Sequence, residues 1–356
     1  MSKINCLDFK PIIKKYLPPS LTSDQEKLLS VFNAFIRSQE KKNVLLIRGF
    51  AGTGKSTFTG AVVKFIRQFD RHIILSAPTG RSARVLTSFA GSSAHTLHRI
   101  LYQVVQKEGQ LLFRKRINKF NRTIFVVDEA SMIGQSNSSG DTTDLLHDLM
   151  HYVFSQPKNR LIMVGDTAQL PPVNSSESPA LNADELGMYQ VQLFQADLRQ
   201  VVRQKQTSGI LKHATHIRDR MNKKQWDLSL ESMPSTDVHF INGNDLEEEW
   251  QSKVSKYGIH ETLIITRSNK RANMYNEHIR QRLLWREEKI EAGDLLMAVK
   301  NNYYWFKDQK GQEFIANGES LEVVRIQRVE EQYDKQFADV TVKFVDRDGA
   351  IEMDIK

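Results

Sequence analysis

A glycine-rich stretch near residue 50 combines the residue types that hold phosphate groups. Residues 49–56 read Gly-Phe-Ala-Gly-Thr-Gly-Lys-Ser and fit the pattern G-x-x-x-x-G-K-S. Glycines let backbone N–H groups turn inward around phosphate oxygens, and the helix that follows directs its positive end at the same anion. We expect Lys55 to reach the β and γ phosphates of ATP and the Ser56 hydroxyl to bind Mg²⁺; a glycine-rich turn without a ligand is the alternative. The predicted nucleotide contacts of this phosphate loop are Gly49, Ala51, Gly52, Thr53, Gly54, Lys55, Ser56 and Thr57.

A second candidate element is the pair Asp128 and Glu129, which directly follows the apolar run 124–127. A phosphate loop alone does not hydrolyse ATP, because carboxylates must hold the metal and activate the attacking water. We expect Asp128 to hold Mg²⁺ and Glu129 to activate the water. An Asp-Glu pair by itself is weak evidence, but its place after an apolar strand in a chain with a phosphate loop favours the catalytic interpretation.

A third element follows the apolar run 161–164, where Gly165 and Asp166 precede Gln169. The Gln169 side chain can both donate and accept hydrogen bonds. At the end of a neighbouring strand it could contact the γ-phosphate and respond to its loss. The local chemistry leaves an ordinary polar turn equally open.

These elements need a scaffold that brings the ends of several strands together. The apolar runs 44–47, 73–75, 124–127 and 161–164 do not alternate with polar residues, and turn-forming or small residues follow them. Such runs are typical of strands buried on both faces and separated by helices, as in a parallel α/β sheet. In that architecture ligands gather at the carboxyl ends of the strands, where each candidate element falls.

Local patterns add further elements around this sheet. Residues 21–26 carry a helix start signal, and residues 102–113 read as a β-hairpin inserted into the α/β domain. Residues 134–144 read as a polar surface loop. A second α/β region is expected from about residue 195 with a strand at 262–265, and short strands around a turn at 346–349 are expected near the end.

The composition is that of a soluble globular protein, with 40% hydrophobic and 26% charged residues among 356. At this length two or three domains are expected. No apolar run approaches the roughly 20 residues that cross a bilayer, and the first residues lack the apolar core of a secretory signal. One cysteine cannot form an internal disulfide. We therefore predict a reduced, cytoplasmic protein with no membrane partner.

The charge of the chain suggests a polyanionic partner, since its net value is +8. Residues 99–122 hold seven basic side chains against one acid, Glu108. A basic stretch between two motifs is typical of a surface that contacts phosphates. A solvated charged face is the alternative.

Six elements in order carry a family resemblance: Gln25, the phosphate loop, Ala-Pro-Thr-Gly-Arg at 77–81, His-Thr-Leu-His at 95–98, Asp-Glu-Ala-Ser at 128–131, and Gly-Asp-x-x-Gln at 165–169. Their order and spacing resemble those of superfamily 1 helicases, most closely the 5′→3′ branch that includes RecD and Dda. The resemblance covers nearly all of the chain. It implies two RecA-like domains that close on ATP and open after hydrolysis, with single-stranded DNA crossing both.

The resemblance implies a domain plan of the α/β class. Residues 1–195 would form a RecA-like P-loop NTPase domain with a parallel sheet, called 1A, with an inserted 1B hairpin at about 100–121. Residues 196–300 would form a partial second RecA-like domain, 2A. Residues 301–356 would form a small, incomplete SH3-like β-domain, 2B.

The resemblance also assigns roles to single residues. Gln25 would recognise adenine, and Arg203, favoured over Arg199, would reach the γ-phosphate from domain 2A, with a surface charge as the alternative. Asn276 would lie along the DNA or the base, and a helix-surface or core histidine is the alternative for His98. The expected DNA contacts are Pro78, Thr79, Gly80, Arg81, Thr96, His98, Phe113 and Asn269.

Two aromatic features suit strand separation and base stacking. A wedge against the terminal base pair would come from Phe113 or Tyr102 on the hairpin, although packing of these rings onto domain 1A is equally open. The run Tyr-Tyr-Trp-Phe at 303–306 could stack bases, or it could form the core of the small β-domain.

After Asn317 and Gly318 the sequence lacks two motifs that this branch of helicases carries. They are a Gln-Gly-Ser/Thr-type motif and an Ala-Leu-Thr-Arg-type motif. We therefore expect a C-terminally truncated helicase that lacks an arginine finger. Such a finger is worth about 10³ to 10⁵ in rate. On this reasoning the chain binds Mg·ATP but hydrolyses it slowly, with little stimulation by DNA.

The predicted function is that of an ATP-dependent DNA helicase or translocase. It would couple hydrolysis to 5′→3′ movement on single-stranded DNA and to unwinding at junctions with duplex, as a monomeric motor in a setting such as repair or recombination. An RNA-directed helicase of the same superfamily remains an alternative. A nucleic-acid binding module with weak ATPase activity is another.

Overall fold

The computed structural model describes residues 8–69, 71–107, 110–138, 141–172, 175, 177–202, 208–225, 227, 235–299, 302, 315, 317–332, 334–345 and 352–356. The chain divides into two compact units, residues 1–205 and 206–356. None of the helices in the described ranges combines the length and apolar character that a bilayer span requires.

The first unit alternates helices and strands through most of its length. Its elements are α1 (Lys10–Lys14), α2 (Ser23–Arg37), β1 (Asn43–Gly49), α3 (Lys55–Ile66), β2 (His72–Ala77), α4 (Gly80–Ala90), β3 (Ala94–Thr96), α5 (Leu97–Leu101), β4 (Tyr102–Lys107), β5 (Gln110–Lys115), β6 (Thr123–Val127), β7 (Gln135–Ser138), β8 (Asp141–Asp144), α6 (Leu145–Phe154), β9 (Arg160–Gly165), α7 (Ala183–Gly187) and β10 (Gln192–Leu198). Short 3₁₀ turns lie at Ala130–Met132 and Pro179–Leu181.

Six of these strands form one parallel sheet in the order β10-β1-β9-β6-β2-β3. Successive side chains of a strand point to opposite faces. Leu45 and Ile47 of β1 accordingly pack with α1 to α4 on one face, and Val44 and Leu46 pack with α5 and α6 on the other. The sheet is therefore buried on both faces, which explains the unalternated apolar runs. This arrangement confirms the predicted α/β, RecA-like P-loop fold.

The helix start predicted at residues 21–26 is confirmed. Helix α2 begins at Ser23, and the Thr22 side chain accepts a hydrogen bond from the Gln25 backbone N–H. The Gln25 side chain in turn accepts from the Thr22 N–H, which completes a capping box.

The inserted hairpin is confirmed, and a buried carboxylate fixes its root. Strands β4 and β5 pair from Tyr102 opposite Lys115 to the turn. Asp148 of α6 is only 6% exposed, and its two oxygens meet the Tyr102 hydroxyl at 2.6 Å and the Lys115 ammonium at 2.5 Å. Burial and this hydrogen bond raise the pKa of Tyr102. The prediction that Tyr102 could be the wedge is wrong, because its ring is buried at the root of the hairpin.

The second unit has helices first and strands later. Its elements are α8 (Gly209–Asn222), α9 (Leu246–Tyr257), α10 (Asn269–His278), β11 (Leu295–Met297), β12 (Ser320–Gln332), β13 (Lys335–Phe344) and β14 (Glu352–Ile355), with 3₁₀ turns at Gly243–Asp245 and Ile259–Glu261 and a π-helical turn at Ile279–Leu283. Strands β11 to β14 form an antiparallel sheet in chain order around Leu321, Val323, Val342 and Phe344. The strands predicted near the end are confirmed, whereas the turn predicted at 346–349 lies outside the described residues. The SH3-like assignment stays a prediction.

Three predictions about these elements are corrected. Residues 134–144 are not a plain loop, because Gln135–Ser138 and Asp141–Asp144 pair as a short hairpin of polar residues. Residues 262–265 are not a strand: no described segment pairs with them, and Leu263 and Ile265 are 82% and 87% exposed. The second unit shows no parallel strand pair in its described part, so a partial RecA-like sheet is not observed there.

The boundary predicted at residue 195 between the first two domains differs from the division in the structure. It falls inside β10, which pairs with β1 along its whole length, from Gln192 opposite Asn43 to Leu198 opposite Gly49. All of β10 therefore belongs to the first unit, and the division lies at 205/206. The β-sheet of the second unit likewise begins at Leu295, before the predicted start at 301.

Replacing Tyr102 with Phe should destabilise the first unit, because Asp148 then loses a hydrogen bond while remaining buried. A buried acceptor left short of a donor costs about 1–3 kcal/mol. The measurement is the thermal midpoint, with Tyr16→Phe as the control, since no hydrogen bond is found for the Tyr16 hydroxyl in the described part of the chain. Equal midpoints for the two variants would contradict the anchoring role of Asp148.

Candidate active site

The three chemical elements lie at one edge of the parallel sheet. Strand β1 ends at Gly49, β9 at Gly165 and β6 at Val127, and β9 lies between the other two. Parallel strands present their carboxyl ends at the same edge, so the residues that follow them converge. The sheet order thus brings the phosphate loop, Asp166 and the Asp128–Glu129 pair together.

The phosphate loop has a backbone that requires glycine at two positions. Gly52 and Gly54 have φ values of 78° and 96°, a left-handed conformation that strains other residues. Gly54 precedes α3, whose first N–H groups have no partner within the helix and are available to an anion. At Gly49 a Cβ would lie 2.8 Å from the Leu198 Cβ, so a side chain would push the loop away from β10. The sequence pattern therefore corresponds to a formed phosphate cradle.

Lys55 occupies this cradle with its ammonium group. Its Nζ donates to the backbone oxygens of Gly49 at 2.6 Å and Phe50 at 3.0 Å. Its Nζ also lies 3.9 Å from the Asp166 carboxylate, which is 4% exposed. Asp166 was not among the predicted site residues, although its position directly after an apolar strand was a usable signal.

Asp128 and Glu129 form a strained acidic pair. Burial, followed by the nearby Glu129 charge, raises the pKa of Asp128 to about 6, while the Glu129 N–H and Lys55 oppose this shift. Glu129 has a φ of 53°, in the left-handed region, and its N–H donates to Asp128 Oδ1 at 3.0 Å. Its Oε2 atom is buried and has no hydrogen-bond partner in the described part of the chain. An unpartnered carboxylate oxygen in a polar site is what a general base for water requires.

The donor set suits a hydrated Mg²⁺ ion. A serine hydroxyl and a carboxylate are hard oxygen ligands, and Mg²⁺ in phosphate-transfer sites keeps several waters beside one or two protein ligands. Ser56 at the start of α3 and Asp128 at the end of β6 provide these two groups. No cluster of three or more metal-binding side chains occurs in the part of the chain that the structure describes.

Gln169 is linked to the Asp128–Glu129 segment. The Ser131 hydroxyl donates to Gln169 Oε1 at 2.9 Å, and the Ala168 N–H donates to Asp166 Oδ1 at 2.8 Å. Ser131 is buried, so the position of Gln169 depends on the turn that follows Glu129. Ser131 was missed as a site residue because a serine carries no signal until its partner is known.

Gln25 contacts the phosphate loop directly. Its Nε2 donates to the Thr53 backbone oxygen at 2.9 Å, while its Oε1 accepts from Thr22. A Cβ added at Gly54 would lie 2.7 Å from the Gln25 Nε2, so glycine is needed for this contact as well. The Gln25 side chain therefore stabilises the loop, and recognition of adenine by this side chain stays a prediction.

The chain that leaves β10 is also bound to the loop. The Phe50 N–H donates to the Leu198 oxygen at 3.3 Å, and the Val202 N–H donates to the Gly52 oxygen at 2.9 Å. Asp24 of α2 accepts from the N–H groups of Arg199 and Gln200 at 2.9 and 3.2 Å. Arg203, the predicted γ-phosphate contact, lies outside the described residues.

The predicted DNA contacts divide into exposed and structural positions. Thr96 is 2% exposed, and its hydroxyl accepts from the Arg99 N–H as the cap of α5, so its side chain supports the helix instead of facing a ligand. Thr79 likewise caps α4, and Gly80 is buried. His98, Asn269 and Arg81 are exposed, and Pro78 is half-buried. The side chain of Phe113 and the run 303–306 lie outside the described residues.

Replacing Asp128 with Asn should raise the thermal midpoint of the ligand-free protein at pH 7.5. The pKa of Asp128 is about 6 in the folded protein and 3.8 ordinarily, so ionised Asp128 destabilises the folded state. This destabilisation is fully present above pH 6 and is lost as the pH falls to the unfolded pKa. The gain should therefore shrink between pH 6 and pH 4, where the wild-type carboxyl is protonated in the folded state.

The control is the exposed Asp219→Asn, which changes charge equally. A gain that is the same at pH 4 and pH 7.5 would contradict the assignment. In the wild type, Mg²⁺-dependent nucleotide binding should weaken as pH falls through 6, because protonated Asp128 cannot hold the ion.

The curated relatives of the chain include two helicases. An ATP-dependent RecD2 DNA helicase from Deinococcus radiodurans is 35% identical over 133 residues, which are 37% of this chain and 16% of that protein. The ATP-dependent DNA helicase dda of Enterobacteria phage T4 is 30% identical over 164 residues, which are 45% of this chain and 35% of dda. The matched stretches thus span about a sixth and a third of these relatives.

Among solved structures, Pif1 helicase from Bacteroides in complex with ADP-AlF3 and ssDNA matches 95% of this chain and 74% of its own, at 18% identity and a TM-score of 0.45. The resemblance to RecD and Dda that the motifs indicated is confirmed by the curated relatives. A family model described as an AAA domain matches residues 21–232, which is more than half of the 356 residues. The chain belongs to the AAA domain family.

Proposed function

We propose that the chain is the motor part of an ATP-dependent DNA helicase or translocase. The observation that carries this proposal is the site at the sheet edge, where Lys55 fills a phosphate cradle and the buried Glu129 Oε2 lacks a partner. A phosphate-binding lysine beside a water-activating carboxylate is suited to nucleoside triphosphate hydrolysis. Two curated relatives named as ATP-dependent DNA helicases favour DNA as the partner.

In this proposal the chain's own groups perform four tasks. Lys55 exchanges the Gly49 and Phe50 oxygens for the β and γ phosphates of ATP. Ser56 and Asp128 would hold Mg²⁺, which neutralises phosphate charge in such sites. Glu129 accepts a proton from the attacking water through the oxygen that has no other partner. Gln169, held by Ser131, would report the state of the γ-phosphate to the turn after Glu129.

The partner in this proposal is single-stranded DNA, including its junctions with duplex, with movement in the 5′→3′ direction. Residues 99–122 hold seven basic side chains, of which those of Lys115 and Arg116 lie at the hairpin root. His98 and Asn269 remain candidate DNA contacts because both are exposed. We further propose that the motor is monomeric and cytoplasmic, and that Arg203 and Phe113 act as γ-phosphate contact and wedge, respectively.

Replacing Glu129 with Gln should abolish turnover and spare binding. The amide keeps the size of the side chain but cannot accept the proton of water, and loss of a general base lowers kcat by about 10²- to 10⁴-fold. The measurements are steady-state ATP hydrolysis with and without single-stranded DNA, and equilibrium binding of a fluorescent ATP analogue. The control is the exposed Glu287→Gln, which should keep wild-type turnover.

The same assay tests the nucleic-acid partner. Hydrolysis by this chain should be slow, and whatever stimulation single-stranded DNA gives should exceed the stimulation by RNA of the same sequence. No Glu129-dependent hydrolysis with either polymer would overturn the motor function. Stimulation by RNA alone would favour the RNA-directed alternative.

Replacing Gln25 with Ala separates its two proposed roles. If the side chain recognises adenine, the variant should lose much of the preference for ATP over GTP. If the side chain only supports the loop, the variant should bind ATP and GTP more weakly by the same factor. Competition of unlabelled ATP and GTP against a fluorescent analogue measures this ratio. An unchanged ratio would contradict adenine recognition.

A further inference from the structure

A second cavity lies at the opposite edge of the parallel sheet. It has a volume of about 460 Å³ and is bordered by the amino ends of β1 and β9, which begin at Asn43 and Arg160. The phosphate loop lies at the carboxyl ends of the same strands, so the cavity is separate from the candidate active site. Its volume is in the range that holds small organic ligands.

The charges around this cavity are mostly positive. Its lining includes four basic side chains and one acid, Glu40; the basic residues are Arg71, Arg122, Lys158 and Arg160. None of these four makes an ion pair with a carboxylate among the residues that the structure describes. Like charges gathered without a counter-ion destabilise one another unless an anion joins them.

Arg160 has a structural explanation. Its guanidinium donates to the backbone oxygens of Phe35 and, at 2.7 Å, Ser38, at the carboxyl end of α2. It also lies 5.5 Å from the centre of the Phe35 ring. A cation at the end of a helix with free carbonyl groups is stabilising. Arg160 therefore caps α2 and forms a fixed positive wall of the cavity.

Arg71 has no such explanation. Its Nη1 atom is buried and makes no hydrogen bond with any residue that the structure describes. Burial, and then the charge of Arg122, lower the pKa of Arg71, and the charge of Arg71 in turn contributes to the lowered pKa of Arg160. A buried guanidinium nitrogen without an acceptor is rare in folded proteins and calls for an anionic ligand.

The rim of the cavity is built rigidly. Arg122 and Lys158 occupy left-handed turns with φ values of 50° and 62°, and the Arg122 N–H donates to the Pro157 oxygen at 3.3 Å. Asn159, which is 1% exposed, joins the two turns through hydrogen bonds to the Thr123 N–H and the Phe120 oxygen at 2.9 and 2.8 Å. The backbone that carries the two exposed rim cations is therefore fixed before any ligand arrives.

The other residues around the cavity indicate which further groups a ligand needs besides an anion. Phe9, Ile66 and Phe69 supply an apolar side. The Asn43 Oδ1 is buried and accepts no hydrogen bond from the residues that the structure describes, while its Nδ2 donates to the Glu40 backbone oxygen at 2.7 Å. A fitting molecule carries an oxyanion for Arg71, an N–H or O–H donor for Asn43 and a flat apolar body. A nucleoside monophosphate has all three.

We propose that the cavity between Asn43, Arg71 and the Arg122–Lys158 rim is a second nucleotide site, which takes a nucleoside monophosphate with its phosphate on Arg71. This site is independent of the phosphate loop and of the proposed motor function. Arg71 and the rim residues contact the phosphate, and the Asn43 oxygen accepts from the base or the ribose.

The test uses the full chain with Lys55→Ala, which weakens binding at the phosphate loop. The probes are the four ribonucleoside monophosphates, adenosine and inorganic phosphate, titrated by calorimetry. At least one monophosphate should bind more tightly than both adenosine and inorganic phosphate. Adding Arg71→Gln should weaken its binding by about tenfold or more, since a hydrogen bond to a charged group is lost.

A second variant avoids disturbance of the interior. Arg122→Asn with Lys158→Asn removes both rim charges while asparagine accepts the left-handed backbone. It should weaken binding and reduce its dependence on salt, whereas the exposed Lys27→Gln should change affinity by less than about twofold. Thermal midpoints check that each variant is folded. No binding by any monophosphate, equal binding of inorganic phosphate, or full binding by folded Arg71→Gln protein would overturn the proposal.

Discussion

The first unit depends on charges that are held out of water without complete ion pairs. Removing a charged group from water is unfavourable unless partners replace the solvent. At the sheet edge the Lys55 ammonium relies on two backbone oxygens and on Asp166 at 3.9 Å, and Asp128 is held beside another acid. In the proposed function, a nucleotide with its divalent cation adds partners to these groups, and the arrangement of the groups then contributes to the binding free energy.

The order of the strands makes this site possible. Because β9 lies between β1 and β6, Asp166 is placed between the phosphate loop and the Asp128–Glu129 pair. The Ser131–Gln169 hydrogen bond then joins the turns that follow β6 and β9. This hydrogen bond links the turn after the proposed general base Glu129 to the proposed sensor Gln169.

The parts of the fold that the sequence revealed are those with strong local patterns. Buried strands, the phosphate loop and the capped start of α2 each carry their signal within a few residues. The hairpin of β7 and β8 has polar residues on both strands, so no alternation marked it. The run 262–265 looks like a strand, but pairing depends on a neighbour that composition does not reveal. Arg160 meets Phe35 across 125 positions, and no local pattern predicts such a contact.

The hydrogen bonds between the phosphate loop and the chain leaving β10 give the loop a second role. Gly52 is hydrogen-bonded to Val202 and Phe50 to Leu198, so backbone hydrogen bonds join the phosphate loop to the segment that follows β10. Thermodynamic linkage makes this relation reciprocal. Suppose that bound nucleotide shifts the equilibrium between two positions of the segment 199–202 by some factor. Holding that segment in the favoured position then raises the affinity for nucleotide, up to that same factor. Under that condition, tension on the segment 199–202 would change the affinity of the loop for nucleotide.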